Sequence, residues 1–336
     1  MYPISFRRYL QYPRREYRIN NKPADTDMTT ADTHLMEWIQ KKCERLDALR
    51  PLDRDLVEKL HEEMRVLHTY NSNAIEGNTL TLSETKLVVN EGITIGGKTL
   101  REHLEATNNA QGYDLIVRLA REQAPINHIM IQQIHEVVTR GILEGAGRYR
   151  TRNVRITGAI RSPPDWKHIV REMDELIADS KEPERSVIEM TAFLHHRFAA
   201  IHPFIDGNGR VARLLGNLYL IRQGYPPIVL DQKNRQHYYR ALRDADNGDL
   251  SVFTTYIARA VNESLSHYLT IAGGNETLVP LGELAKVSPY SQEYLSLAAR
   301  KGLLDATKIG DTWHATRRAL DAYIREHGRK KAGTSG

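Results

Sequence analysis

A single cysteine, Cys43, stands in 336 residues. One thiol cannot close an internal disulfide, so a reducing cytoplasm is the compartment this composition fits. No apolar run approaches the roughly 20 residues a membrane helix needs, which takes the membrane off the list of expected partners. The first residues, MYPISFRRYLQYPRREYRINNKP, carry charges where a signal peptide would carry its apolar stretch. Internal repeats, low-complexity tracts and an alternating strand–helix pattern are also lacking, which argues against a solenoid and against a doubly wound sheet. A strong excess of one charge is missing too. The net charge is +5, with +5 on residues 1–22 and +3 on 275–336, leaving the middle at −3. Two solvated basic tails, or a nucleic-acid-facing appendage on a slightly acidic body, both satisfy that distribution.

What is present is ordinary for a folded chain: 40% hydrophobic and 26% charged residues, enough for a sizeable core and, by length, two domains. The expected fold class is mainly α. Residues 1–33 form an irregular arm punctuated by Pro3, Pro13 and Pro23. Helical patterning begins at Leu35, and Leu56, Leu60, Met64 and Leu67 recur on one face. Gly77-Asn78 breaks that helix, and Thr81-Leu-Ser-Glu84 has the form of a capping box opening the next. Further helices are expected over 99–121, 126–140, 165–179, 186–201, 208–223, 233–246 and 251–269. One stretch, Arg148 to Thr157, mixes β-branched residues with arginines and predicts an exposed β-hairpin. Gly273-Gly274 marks the best domain boundary.

The densest chemistry lies in Ile201-His-Pro-Phe-Ile-Asp-Gly-Asn-Gly-Arg-Val-Ala-Arg213. A helix ends before His202-Pro203. Gly207-Asn208-Gly209 permits left-handed backbone and close approach of a ligand, and a new helix opens at once. Free N–H groups and the positive end of the helix dipole make an anion site there. Arg210 and Arg213, three apart, suit a polyphosphate. Asp206 is a plausible oxygen ligand for Mg²⁺, and His202 titrates where a general base should. Taken singly, each is a packed histidine, a turn, a helix cap or a solvated face. Their coincidence within twelve residues is what points to catalysis.

This segment matches at every fixed position the signature His-Pro-Phe-x-[Asp/Glu]-Gly-Asn-Gly-Arg-x-x-Arg, and so resembles the Fic family. Ala192-Phe-Leu-His-His-Arg-Phe198, Gly224-Tyr-Pro-Pro227 and Tyr238-Tyr-Arg-Ala-Leu242 extend the likeness over roughly 70–270. The resemblance implies a Fic-type helical core at 98–270, behind N-terminal helices at 34–97. It implies transfer of AMP from ATP to a Tyr, Ser or Thr hydroxyl of a protein, with pyrophosphate leaving. His202 would be the base, Asp206 the Mg²⁺ ligand and Phe204 the apolar anchor of the loop. Gly207, Asn208 and Gly209 would cradle the phosphates, with Arg210 and Arg213 on the β and γ groups. The hairpin, through Val154, Arg155, Ile156, Thr157 and Gly158, would act as a flap that clamps the target by strand addition. Ser72-Asn-Ala-Ile-Glu76-Gly77 matches the family's inhibitory pattern. Glu76 would then take Arg213 from the γ-phosphate, and in some relatives the same glutamate also helps remove AMP from the target. Homodimers are frequent among such proteins.

Two decoys fail on context. Gly92-Ile-Thr-Ile-Gly-Gly-Lys-Thr99 fits the P-loop expression, but the segment before it reads as a short helix and not as a strand. His195, His196 and His202 lack a second ligand set at zinc spacing. Residues 276–330 resemble a small helix-turn-helix of winged type, for which DNA binding, protein interaction or dimerisation all remain open.

Overall fold

The computed structural model describes residues 30–156, 159–181, 185–273, 277–301, 303–309 and 312–328. Two compact units divide the described residues: one built on 53–260, the other on 30–52 together with the described residues from Val261 onward.

In the first unit, side-chain caps start most helices where the sequence supplies them. Asp53 accepts from the backbone N–H of Asp55 and Leu56 and opens α2 (Arg54–Ile75). The capping box of Thr81 and Glu84 opens α3 (Leu82–Lys86), which runs on as one wider turn over Leu87–Glu91. Thr99 with Glu102 opens α4 (Leu100–Glu122), Asn127 opens α5 (His128–Thr139), and Ser186 with Glu189 opens α7 (Val187–Ile201). Between the last two lies α6 (Ile169–Asp179). Then follow α8 (Asn208–Arg222), α9 (Arg235–Asp246) and the start of α10 (Ser251–Gly273).

Helix α8 is the axis of this unit. Val211, Ala212, Leu214, Leu218 and Leu220 are wholly buried, and α7, α4 and α5 pack around it. With neighbours on every side, α8 is buried almost throughout, and Arg210 and Arg213 are taken inside with it. The P-loop look-alike proves to be a connection between α3 and α4, where Lys98 Nζ donates to the carbonyl and hydroxyl of Thr79.

The expected hairpin is not realised as paired strand over the described part of 148–157, and Thr157 and Gly158 lie outside the described residues. The reason is Arg150. It turns inward, buried, and its guanidinium donates to the carbonyls of His202 (2.9 Å), Arg152 (2.9 Å) and Pro164 (2.7 Å), while its N–H binds the Pro203 carbonyl (2.9 Å). Side-chain bonds hold this extended segment where a ladder was expected.

In the second unit, α1 (Thr30–Ala48) buries Leu35, Ile39, Cys43 and Leu46 along one face. A small antiparallel sheet has the order β1-β3-β2, from Val279–Pro280, Thr312–Ala315 and Ala306–Ile309. With α11 (Leu281–Ala285), α12 (Gln292–Arg300) and α13 (Arg317–Gly328) it encloses Leu281, Leu284, Leu295, Leu304, Leu320 and Tyr323. No helix among the described residues is long and apolar enough to cross a membrane.

Candidate active site

The loop between α7 and α8 is fixed from both sides. His202 caps α7 with a left-handed backbone (φ 51°), a conformation a bulky residue adopts only under constraint. Its Nδ1 lies 3.2 Å from the Ala199 carbonyl, which can only accept, so Nδ1 carries the hydrogen and Nε2 presents a free lone pair. Burial pushes its pKa below the usual value, helped by the Arg150 charge and opposed by the Ala199 bond, Glu76 and Asp206.

Phe204 is wholly buried, stacked on the His135 ring at 3.6 Å between centroids and 4° between planes. The Asn208 carboxamide closes the loop reciprocally: Oδ1 accepts from the Phe204 N–H (3.0 Å) and Nδ2 donates to its carbonyl (2.9 Å). Gly207 has φ 79°, and a Cβ there would sit 2.8 Å from Thr139 Cγ2, so only glycine fits. The first backbone bond into α8 is Val211 N–H to the Gly207 carbonyl (3.0 Å), so the preceding amides keep the positive helix end open toward the loop.

Although three residues apart, the two arginines go to different carboxylates. Arg210 is buried, 3.6 Å from Asp206 Oδ1 and 3.7 Å from Glu105 Oε1, and its Nε and Nη1 have no hydrogen-bond partner among the described residues. Buried unsatisfied donors are costly unless a ligand completes them. Arg213, also buried, donates through Nε to Ser72 Oγ (2.8 Å) and through Nη2 to the Ser72 carbonyl (2.9 Å) and Glu76 Oε1 (2.7 Å). Burial works to lower its pKa, and the Glu76 carboxylate outweighs it and holds the group above its ordinary value. Gly77, φ 102°, turns the chain away immediately after Glu76. The Glu76 carboxylate lies against the bare Cα of Gly209, where any Cβ would collide with it.

Asp206 accepts from the Gly207 N–H through Oδ1 (2.6 Å) and from Arg101 Nη2 through Oδ2 (2.7 Å). Burial raises its pKa, but Arg210, the Gly207 bond and Arg101 together hold it below the ordinary value. An ionised single carboxylate fits Mg²⁺, which takes few protein ligands and fills its shell with phosphate oxygens and water. No group of three or more His, Cys, Asp and Glu that could hold a metal is found among the described residues. His195 is spent on the Tyr238 hydroxyl (2.9 Å) and His196 on Asp246 (2.9 Å).

Residues 125–220 match the Fic/DOC family. The chain carries a Fic/DOC domain. It is 32% identical over 280 residues to the protein adenylyltransferase Fic of Nematostella vectensis, covering 78% of this chain and 61% of that one. To the protein adenylyltransferase fic-1 of Caenorhabditis elegans it is 31% identical over 246 residues, covering 70% and 47%. The chain thus spans about half to three-fifths of these relatives' length. Among solved structures, a Fic domain containing signaling protein from Bacteroides thetaiotaomicron superposes with a TM-score of 0.66 at 27% identity, covering 70% of this chain and 98% of that one. Fic-1 (residues 134–508) from C. elegans gives 0.64 at 28%, covering 72% and 74%.

The Fic/DOC site includes residues the sequence pattern did not single out. His135 accepts the Gly147 N–H at Nδ1 (2.9 Å) and so donates from Nε2 to the Asp206 carbonyl (2.9 Å). Arg150 holds the His202 carbonyl, and Arg235 Nε donates to the Ile75 carbonyl (2.7 Å) at the end of α2. Arg101 and Glu105 border Asp206. The one available signal was His135 set among the apolar residues Ile131, Ile134, Val137 and Val138 of α5.

Proposed function

We propose that this chain transfers AMP from ATP to a hydroxyl of a protein substrate, releasing pyrophosphate, and that Glu76 restrains it. The observation that carries the reading is the contact of His202 Nδ1 with the Ala199 carbonyl (3.2 Å), which leaves Nε2 to accept a proton at the head of an anion-binding helix terminus. The target oxygen attacks the α-phosphorus, its proton passes to His202 Nε2, and the bond from the α-phosphorus to the bridging oxygen breaks as pyrophosphate leaves. The amides of Asn208 and Gly209 and the unfilled donors of Arg210 bind phosphate oxygens, while the Gly207 N–H stays on Asp206 Oδ1. Phe204, His135 and the Asn208 carboxamide keep the loop from relaxing between turnovers. Asp206 would hold Mg²⁺, which supplies neutralisation of phosphate charge.

Arg213 cannot grip the γ-phosphate while Ser72 and Glu76 hold it, so nucleotide entering the closed site lacks that contact. Opening requires the end of α2 to give. Val154, Arg155 and Ile156 follow Arg150 without strand pairing among the described residues, and a target segment can align there, a role we assign to 154–158. A binding-only protein would need neither the His202 tautomer nor a carboxylate competing for Arg213.

ATP labelled at the α or at the γ position tests the reaction class. Glu76→Gly protein should retain α label and release γ label as pyrophosphate. Retained γ label would mean phosphate transfer and would overturn the proposal.

A further inference from the structure

Arg101 plays no part in the transfer chemistry above, yet it makes the tightest side-chain contact to Asp206 among the described residues. Its position is unfavourable in isolation. It stands in the first turn of α4, where a cation meets the positive end of the helix dipole. Two carboxylates compensate: Asp206 Oδ2 at 2.7 Å from Nη2 and Glu105 Oε1 at 3.0 Å from Nε. Glu105 is held in turn by Asn78 Nδ2 (3.0 Å), two residues beyond the inhibitory glutamate.

Both oxygens of the Asp206 carboxylate are therefore engaged: the Gly207 N–H takes Oδ1 and the Arg101 guanidinium takes Oδ2. The two contacts differ in how firmly they are held. The first is a backbone bond inside a rigid loop. The second is an ion pair whose side chains are 58% and 41% exposed, the kind that is weak and exchanges readily with solvent ions. Arg210, by contrast, is 3% exposed and cannot leave. Releasing Oδ2 would still leave the Arg101 guanidinium bonded to Glu105.

We propose that Arg101 is a resident counter-ion at Asp206, occupying the carboxylate oxygen that a nucleotide-bound divalent cation must take, and so setting the metal concentration at which the enzyme loads. This rests on the reading of Asp206 as the metal ligand. Arg101 is then a gating residue: removing it favours metal binding and leaves the donors to phosphate in place.

The test is direct binding of Mn²⁺, followed by the paramagnetic resonance of the free ion, to full-length protein carrying Glu76→Gly and saturated with an ATP analogue bearing a methylene bridge between the α and β phosphates. Adding Arg101→Gln should tighten Mn²⁺ by about three- to tenfold, the range expected from freeing an exposed pair and removing a like charge. Lys98→Gln, an equal charge change three residues away, should shift it less than about twofold on the same grounds. Unchanged or weaker binding in Arg101→Gln overturns the inference, and so does equal tightening in Lys98→Gln, which would reduce the effect to long-range charge. Asp206→Asn separates the two layers. Loss of Mn²⁺ binding there keeps the metal reading whatever Arg101 does, whereas parent-like binding removes that reading and this inference with it. A thermal melt of each variant confirms that the fold is intact.

Discussion

Three histidines of the first unit, His202 half-buried and His135 and His68 buried, differ in what their ring nitrogens meet, and that decides what each can do. His202 sets Nδ1 against the Ala199 carbonyl, which leaves Nε2 for the substrate proton it is proposed to take. Substituting it by alanine should lower transfer by about 10²–10⁴-fold, the usual share of a general base, with the melting temperature little changed; single-turnover labelling measures this. His135 has the opposite tautomer and serves the loop. His68 has neither nitrogen hydrogen-bonded among the described residues, and burial, with the Arg213 charge, lowers its pKa to about 3. Its folded pKa lies below the unfolded value of 6.5, so as pH falls the unfolded chain takes the proton first. The stability this neutral ring contributes is thus intact above pH 6.5 and is lost on the way down toward pH 3. Urea unfolding between pH 6 and 4.5 should show a slope approaching about 1.4 kcal/mol per pH unit from this group, and His68→Leu should flatten it. His202 was legible in the sequence because its neighbours form a dense pattern. His135 was not, because its partners are a backbone N–H and a backbone carbonyl, groups every residue has.

At the scale of the element, α2 is the moving part of the account. Ser72 and Glu76, four apart on its last turn, bind Arg213, and the open carbonyl of Ile75 is taken by Arg235, whose guanidinium also lies 4.9 Å from the Tyr239 ring. A charge-assisted bond is worth about 1.5–3 kcal/mol, so Glu76→Gly should raise initial self-labelling by roughly ten- to a hundredfold. Arg235→Ala frees the helix end without touching Arg213 and should fall between wild type and Glu76→Gly in the same assay. Much of this was readable: the break at Gly77, the capping box at Thr81, and the apolar face of α2, although Leu56 and Leu67 prove only half-buried and Val57 and Val66 go deeper. Over the described residues 148–156 the expected strand pairing is not realised; alternation of arginine with β-branched residues is the pattern of an exposed strand. Nothing in that pattern reveals that Arg150 faces inward.

For the whole molecule, helix content and the position of nearly every helix followed from periodicity and caps. The grouping of α1 with the C-terminal unit did not. It depends on contacts such as Lys42 Nζ with Asn262 (2.8 Å), Ser266 (2.7 Å) and Asp305 (2.6 Å), spanning more than 200 residues of chain. Lys42→Ala would strand Asp305 beside a void and should destabilise the second unit by about 2–4 kcal/mol. Since every residue assigned to the transfer lies in the first unit, labelling at 25 °C should persist in that variant. Scanning calorimetry together with the labelling assay measures both.

The central claim is that one loop performs the transfer and one glutamate restrains it. Intact-mass spectrometry after incubation with ATP and Mg²⁺ tests it most directly, on wild type, Glu76→Gly and Glu76→Gly/His202→Ala. An added AMP mass should be abundant in the single variant, scarce in wild type and absent in the double variant. Equal adduct in wild type and Glu76→Gly would contradict the restraint, and an adduct that survives loss of His202, or one of phosphate mass, would contradict the chemistry.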